Sequence, residues 1–104
     1  MKVPGIPRQT GIPIAKETYC FYDGGKSDRG PARVLRREDG TGSYEVLCFK
    51  FPKKGGGLFT MDENEDFWKV NDEELVSVLE APEVVNRGSR TYYRFPQLAY
   101  MLDN

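Results

Sequence analysis

The chain has 104 residues and a mass of 11.9 kDa, which is enough for one domain and too little for two. Hydrophobic residues make up 38% of it and charged residues 30%, which excludes an apolar membrane protein and an obviously disordered chain. Histidine is absent, so the commonest general base and the commonest zinc ligand are excluded as well.

The net charge of −1 hides a strong separation of charge along the chain. Residues 1–54 carry eleven basic and six acidic side chains, whereas residues 55–86 carry one basic and nine acidic side chains. Residues 87–104 are basic again, with three arginines and one aspartate. We therefore expect two faces of opposite charge, which would steer charged partners toward the protein.

The pattern predicts an extended, proline- and glycine-rich arm over residues 1–15 and a single β-barrel-like domain over residues 16–104. The prolines of the arm fix φ and bias the residues before them toward extended backbone. Its three isoleucines are expected to pack on the core: Ile6, Ile12 and Ile14. Alternatively, the arm reaches out to a partner.

The domain begins with β-rich runs separated by turn signals. These runs cover residues 18–23, 32–38, 43–51 and 58–61. Asp39-Gly40 lies between the second and third runs and supplies the φ > 0 positions that a hairpin turn requires. The third run has apolar residues on both faces, which is typical of a central, bent strand.

Residues 71–80 fit two structures. Asn71 or Asp72 could cap a short helix, whereas Val76 and its neighbours favour a strand. We expect a short turn that leads into a strand.

The last third of the chain predicts a hairpin and a short helix. Residues 83–87 and 90–95 flank Gly88-Ser89, and residues 97–102 have the spacing of one or two helical turns. Together the elements predict a mainly β fold, α+β at most. We expect a small barrel or roll of about five strands with a short C-terminal helix.

The two cysteines, Cys20 and Cys48, lie inside predicted strands rather than in loops. This favours reduced, buried thiols in a cytoplasmic protein, although neighbouring strands would allow a disulfide between them. The N-terminus lacks the apolar stretch of a signal peptide, and no apolar run approaches the roughly 20 residues of a membrane helix. We therefore expect no membrane association.

One motif imitates a calcium loop. Its acidic and amide side chains have the spacing of an EF-hand: Asp62, Asn64, Asp66 and Glu73. However, Phe67 stands where that loop needs glycine, and Lys69 brings a cation into the site. We predict no metal and no cofactor. With no histidine, and with no activating base evident for either cysteine, the sequence also predicts that the protein is not an enzyme.

The first binding hypothesis is a protein-binding site of acidic and aromatic residues, aided by a lysine-containing loop. Its residues are Asp62, Glu63, Glu65, Asp66, Phe67, Trp68, Lys53 and Lys54. Carboxylates beside large aromatics suit a basic, nucleic-acid-binding groove on another protein. The structural alternative is a solubilising loop with Trp68 in the core.

The second binding hypothesis is a barrel that binds single-stranded nucleic acid through cations and stacking aromatics. Its residues are Arg33, Arg36, Arg37, Tyr92 and Tyr93. The overall pI of 5.5 argues against it, because such affinity comes from phosphate neutralisation. The structural alternative is a set of arginines that solvate an outer sheet face.

Two stretches resemble parts of small phage-encoded proteins. Residues 19–26 read Tyr-Cys-Phe-Tyr-Asp-Gly-Gly-Lys before a basic strand, and residues 56–61 read Gly-Gly-Leu-Phe-Thr-Met before an acidic, Trp-containing segment. The barrel pattern also resembles SH3-like domains, without their paired Trp or closing Pro-x-x-Tyr. The phage resemblance implies a non-catalytic accessory protein in the host cytoplasm, such as an anti-CRISPR or other anti-defence inhibitor. It carries no residue roles.

Overall fold

The computed structural model describes residues 4–24, 29–38, 42–50, 58–61 and 67–98, and strands dominate these ranges. In chain order the strands are β1 Ile6–Pro7, β2 Tyr19–Asp23, β3 Arg29–Glu38, β4 Ser43–Cys48, β5 Trp68–Asn71, β6 Leu75–Leu79, β7 Glu83–Arg87 and β8 Arg90–Arg94. The helical elements of the described residues are two 3-10 turns, Asp72–Glu74 and Pro96–Leu98. The prediction of a mainly β fold is confirmed.

Six strands form one antiparallel sheet in the order β1-β6-β2-β3-β4-β5. Strands β5 and β6 are consecutive in the chain, yet β4, β3 and β2 separate them in the sheet. In a flat sheet those four strand spacings would span about 19 Å. The 3-10 turn between β5 and β6 has only three residues and rises about 6 Å. The sheet must therefore curl until its two sides approach each other at this turn.

The curled sheet does not close into the barrel that the sequence predicts. Strands β1 and β5 are its edges, and no strand of the described residues joins them. Pro7 within β1 has no N–H to donate, so the arm cannot continue as a fully paired strand. Side chains bridge the opening instead, since Arg8 donates to the Asp72 carboxylate at 2.8 Å and Gly11 N–H donates to the same carboxylate at 2.6 Å. We call these contacts the Arg8–Asp72 junction.

The first core cluster fills the inside of the curl, because strands β2 to β6 all contribute to it. Its buried members are Cys20, Tyr22, Ala32, Val34, Tyr44, Val46, Val70 and Leu75. Ile14 of the arm packs against this cluster, as the sequence predicts. Ile6 and Ile12 do not, since they are 67% and 56% exposed. Ile6 lies on an edge strand and Ile12 in a turn, so neither is covered.

The second core cluster lies between the outer face of the sheet and a smaller sheet of β7 and β8. Its buried members are Phe21, Phe49, Phe59, Leu79, Phe95 and Leu98. Antiparallel bridges Lys50↔Thr60 and Phe59↔Tyr93 connect the main sheet to the small sheet through residues 58–61. Strand β2 contributes to both clusters because successive side chains of a strand point to opposite faces.

The structure decides between the two alternatives for residues 71–80. Residues 71–80 form the 3-10 turn and then strand β6, which confirms the expectation of a turn before a strand. Glu74 caps the turn by accepting a hydrogen bond from Asn71 N–H at 2.8 Å. The predicted C-terminal helix is replaced, among the described residues, by the 3-10 turn Pro96–Leu98, and residues 99–104 lie outside the described ranges.

Candidate functional site

Phe67 and Trp68 are exposed side by side at the start of β5. Their exposed fractions are 51% and 52%, whereas Phe21, Phe49 and Phe95 are buried. The structure therefore excludes the interpretation that Trp68 belongs to the core. Trp68 pairs with Val46 and thus lies on the inner face of the curl, but at the open end of the sheet, where nothing in the described residues covers it completely.

A pocket of about 130 Å³ opens beside Trp68 at this end of the curl. Its walls come from the end of β2, the start of β3, the end of β4 and the start of β5. The lining residues are Tyr22, Arg29, Gly30, Pro31, Cys48, Phe49 and Trp68. We call Phe67, Trp68 and this pocket the Trp68 site. Arg29 and Pro31 belong to neither predicted binding site, although both lie just after Gly24-Gly25, a pair of residues typical of a turn.

The outer edge of β5 offers main-chain hydrogen-bonding groups next to the Trp68 site. Asp72 N–H donates to the carbonyl oxygen of Gly42 at 2.9 Å. This bond shows which alternate residues of β5 form main-chain hydrogen bonds with β4. Val70 and Trp68 therefore bond toward β4, while the N–H and C=O of Lys69 point away from it. An extended segment of a partner could hydrogen-bond to the main chain of Lys69. The N–H of Asn71 already donates to Glu74.

The acidic part of the predicted protein-binding site precedes the Trp68 site in the chain. Asp62, Glu63, Glu65 and Asp66 lie outside the described residues, as do Lys53 and Lys54. Of that predicted set, the structure describes Phe67 and Trp68, which are both half-exposed, and Trp68 lines the pocket.

Two arginines of the predicted nucleic-acid site, Arg33 and Arg36, each form an ion pair with a glutamate. Arg36 donates two hydrogen bonds to Glu45, at 2.7 and 3.1 Å, and Arg33 donates to Glu17 at 3.1 Å. The hydrogen bond and the charge of Glu45 raise the pKa of Arg36 above its ordinary value. Arg33 and Arg36 thus each have a carboxylate partner.

The residues of the predicted nucleic-acid site do not share one face. Arg33 and Arg36 lie on the outer face, because they pair with Leu47 and Glu45, whereas Arg37 pairs with Tyr44 of the inner face. Tyr93 packs on the second core cluster, and Tyr92, the next residue along β8, points the other way. The five residues are therefore divided among several surfaces.

The cysteines do not face each other across neighbouring strands. Ala32 pairs with Cys20 on one side and with Cys48 on the other, so β3 separates the two cysteines. Two strand spacings place their Cα atoms about 9.6 Å apart, beyond the roughly 7 Å that a disulfide can bridge. Both thiols are free of disulfides. Burial raises the pKa of Cys20 to about 11, despite the opposing charge of Arg8.

These environments predict that the two thiols react at very different rates. Cys20 is fully buried and, at pH 8, only about one molecule in a thousand would carry its thiolate. Cys48 is half-buried and lines the open pocket. We expect iodoacetamide to alkylate Cys48 first and to reach Cys20 only in denaturant, as measured by intact mass. The Cys48→Ser variant should then resist labelling, and equal labelling of both residues in the native protein would contradict the structure.

Comparison with known proteins does not assign this chain to a family. No protein-family description, no curated protein and no solved structure matches it. Within the described ranges, no helix has the length and apolar character needed to cross a membrane. The function must therefore be inferred from the side chains of the Trp68 site.

Proposed function

We propose that this protein is a non-catalytic protein-binding module and that its partner binds at the Trp68 site. The observation that carries this proposal is the half exposure of two adjacent large aromatics, Phe67 and Trp68, of which Trp68 lines a pocket. Tryptophan is the residue type most enriched among side chains that dominate binding energy, and such residues fill pockets or line them. Phe49 and Pro31 provide apolar walls for an inserted side chain.

The chemistry of the partner follows from the residues that precede Phe67. Asp62, Glu63, Glu65 and Asp66 place four carboxylates within five residues, directly before the exposed aromatics. A basic protein surface would relieve their mutual repulsion and would bind faster at low salt. A nucleic-acid-binding groove on a host or defence protein has this character. An accessory protein that inhibits such a partner, as the phage resemblance implies, fits this chemistry.

A non-catalytic role also agrees with the chemistry of Cys20. A nucleophilic cysteine requires a lowered thiol pKa and access to substrate. Burial instead raises the pKa of Cys20 to about 11, and the side chain has no exposed surface.

An SH3-like assignment of the curled sheet is part of the same proposal. Strands β2 to β5 form an antiparallel meander, and β6 returns after a 3-10 turn to pair with β2. The pairing of β6 with β2 supports the assignment, whereas the open edges β1 and β5 distinguish this sheet from a closed barrel.

The proposal predicts that Trp68→Ala weakens partner binding strongly. A partner captured from the native or host lysate would be purified, and its affinity for the protein measured by surface plasmon resonance. We expect about a 30-fold loss or more, because truncating a central aromatic commonly costs at least 2 kcal/mol. The matched control is Val84→Ala, since Val84 is 56% exposed but lies on β7, away from the pocket.

The acidic segment is tested by reversing its charge. Replacing Asp62, Glu63 and Glu65 with Lys should abolish binding to a basic partner, with little change in thermal unfolding. Equal affinity of the partner for wild type and for Trp68→Ala would contradict the proposal that the partner binds at the Trp68 site. A partner that binds the charge-reversed variant equally well would contradict the basic character of that partner.

A further inference from the structure

The outward face of the β7–β8 hairpin carries three arginines and one tyrosine that the predicted sites did not bring together. Tyr93 packs on the second core cluster, so Tyr92 and Arg94, its neighbours on β8, lie on the opposite, outward face. Register places Arg87 opposite Arg90, and Val85 opposite Tyr92, on that same face. We call Arg87, Arg90, Tyr92 and Arg94 the hairpin face.

Two of these arginines repel each other. Gly88 and Ser89 form a two-residue turn, and Gly88 has a φ of 65°, which favours glycine at the first position of such a turn. A two-residue turn forces the flanking residues, Arg87 and Arg90, directly opposite each other. Like charges in that position destabilise a hairpin. Both arginines are exposed, and neither has an ion-pair partner among the described residues.

The remaining charges do not neutralise this face. Arg94 approaches Glu83 at 3.6 Å, and the two side chains are 43% and 63% exposed, so solvent screens the pair. Three arginines and one glutamate leave a net charge of +2 on a small surface. This contrasts with Arg33 and Arg36 of β3, each of which already pairs with a glutamate.

We propose that the hairpin face binds the sugar–phosphate backbone of single-stranded nucleic acid, with Tyr92 stacking on a base. Anionic phosphates complement Arg87 and Arg90 and remove their mutual repulsion. Along β8, Arg90, Tyr92 and Arg94 alternate as cation, aromatic and cation at intervals of about 6.8 Å. Cations that contact phosphates next to an aromatic platform are the common means of binding single strands. An acidic protein would need the arginines but not the tyrosine ring.

This inference is independent of the Trp68 site. The hairpin belongs to the small sheet, whereas Trp68 belongs to β5 of the main sheet. A variant of one surface therefore leaves the other intact, and failure of one proposal is distinguishable from failure of the other.

The test measures binding of a dye-labelled oligothymidylate by fluorescence anisotropy. Three phosphate contacts would give a salt slope of about −2, so affinity should fall about 20-fold between roughly 50 and 200 mM salt. Tyr92→Ala should lower affinity about tenfold, and Tyr92→Phe should restore it, because the ring supplies the stacking.

Arg90→Glu tests whether the pair of Arg87 and Arg90 binds the oligonucleotide, and it should not destabilise the fold. The new carboxylate would lie opposite Arg87 and replace a repulsion with an attraction, so the hairpin should be retained and thermal unfolding should not fall. Oligonucleotide affinity should nevertheless drop by about tenfold or more. The matched control is Arg37→Glu, which makes the same change of charge at an exposed arginine of β3 and should change affinity by less than about twofold.

Three results would overturn the proposal. The first is the absence of salt-sensitive oligonucleotide binding. The second is an equal loss in Arg37→Glu and Arg90→Glu, which would indicate attraction to net charge alone. The third is equally tight binding of polyglutamate together with an unchanged oligonucleotide affinity in Tyr92→Ala, which would assign the face to an acidic protein surface.

Discussion

Replacing Asp72 with Asn is expected to lower the free energy of unfolding by about 3 kcal/mol, because it removes one charge from a mostly buried ion pair. The Arg8 and Asp72 side chains are only 7% and 15% exposed, and their closest atoms are 2.8 Å apart. Arg8 also donates to the carbonyl oxygens of Asp72, Leu75 and Ile12, at 2.8, 3.0 and 2.8 Å. Its guanidinium would remain buried and charged after the substitution.

The junction matters beyond a single pair because it connects three parts of the chain. Gly11 N–H donates to the Asp72 carboxylate, and Tyr44, inside the first core cluster, also hydrogen-bonds to it. The Tyr44 hydroxyl in turn accepts a hydrogen bond from Ile14 N–H at 3.1 Å. Loss of the carboxylate charge would therefore loosen the arm, the 3-10 turn and the opening of the curl together.

Urea denaturation followed by circular dichroism would measure this effect. Glu73→Gln is the matched control, since Glu73 lies in the same 3-10 turn but is exposed and should shift stability by less than about 0.5 kcal/mol. A double-mutant cycle with Arg8→Met should show strong coupling between Arg8 and Asp72. Identical unfolding curves for wild type and Asp72→Asn would show that the junction does not stabilise the fold.

The same junction predicts how the effect depends on pH. Burial raises the pKa of Asp72, but the hydrogen bonds from Gly11 and Arg8 and the charge of Arg8 outweigh burial and hold it below the ordinary value of 3.8. A folded-state pKa below the unfolded one stabilises the protein above the unfolded pKa and ceases to do so as pH falls through the folded pKa. The stability difference between wild type and Asp72→Asn should thus be full at pH 7 and shrink below about pH 4.

Phe95→Ala is expected to cost about 4 kcal/mol, the largest single effect, because it empties the centre of the second core cluster. Phe95 is 1% exposed, and its ring contacts those of Phe49 and Phe59 edge to face at centroid distances of 4.9 and 5.7 Å. A domain of this size is commonly stable by only about 5–15 kcal/mol. The variant should therefore lose a large share of its stability and unfold at a much lower urea concentration than wild type.

The measurement can also show whether the two sheets unfold together. Trp68 is the only tryptophan and lies in the main sheet, so its fluorescence reports the sheet that does not contain Phe95. We expect the fluorescence and circular dichroism transitions of Phe95→Ala to move together to lower urea. Phe67→Ala, which truncates a phenylalanine that is 51% exposed, is the control and should change stability by less than about 0.5 kcal/mol. A fluorescence transition unchanged by Phe95→Ala would mean that the sheets unfold independently.

Local features of the chain were sufficient to predict β2, β3, β4, β6, β7 and β8, but not β1 or β5. Glu38 pairs with Ser43 on either side of the Asp39-Gly40 signal, and Arg87 pairs with Arg90 around Gly88-Ser89, as the turn residues predict. Alternation was equally informative, because the residues of β2 divide between two core clusters. Turn chemistry and strand alternation act over a few residues, so a sequence displays them directly.

Tertiary contacts alone determine how the sheet curls and which side chains remain available for binding a partner. Arg8 and Asp72 are 64 residues apart, and no local pattern pairs them. Sequence could not show that Trp68 lies at an uncovered end of the curl, nor that Arg33 and Arg36 pair with glutamates. The physical reason is that burial and ion pairing depend on strand order and register, which place residues together from distant parts of the chain. The sequence gives the number and order of the charged residues, but only the folded sheet determines which of them form ion pairs.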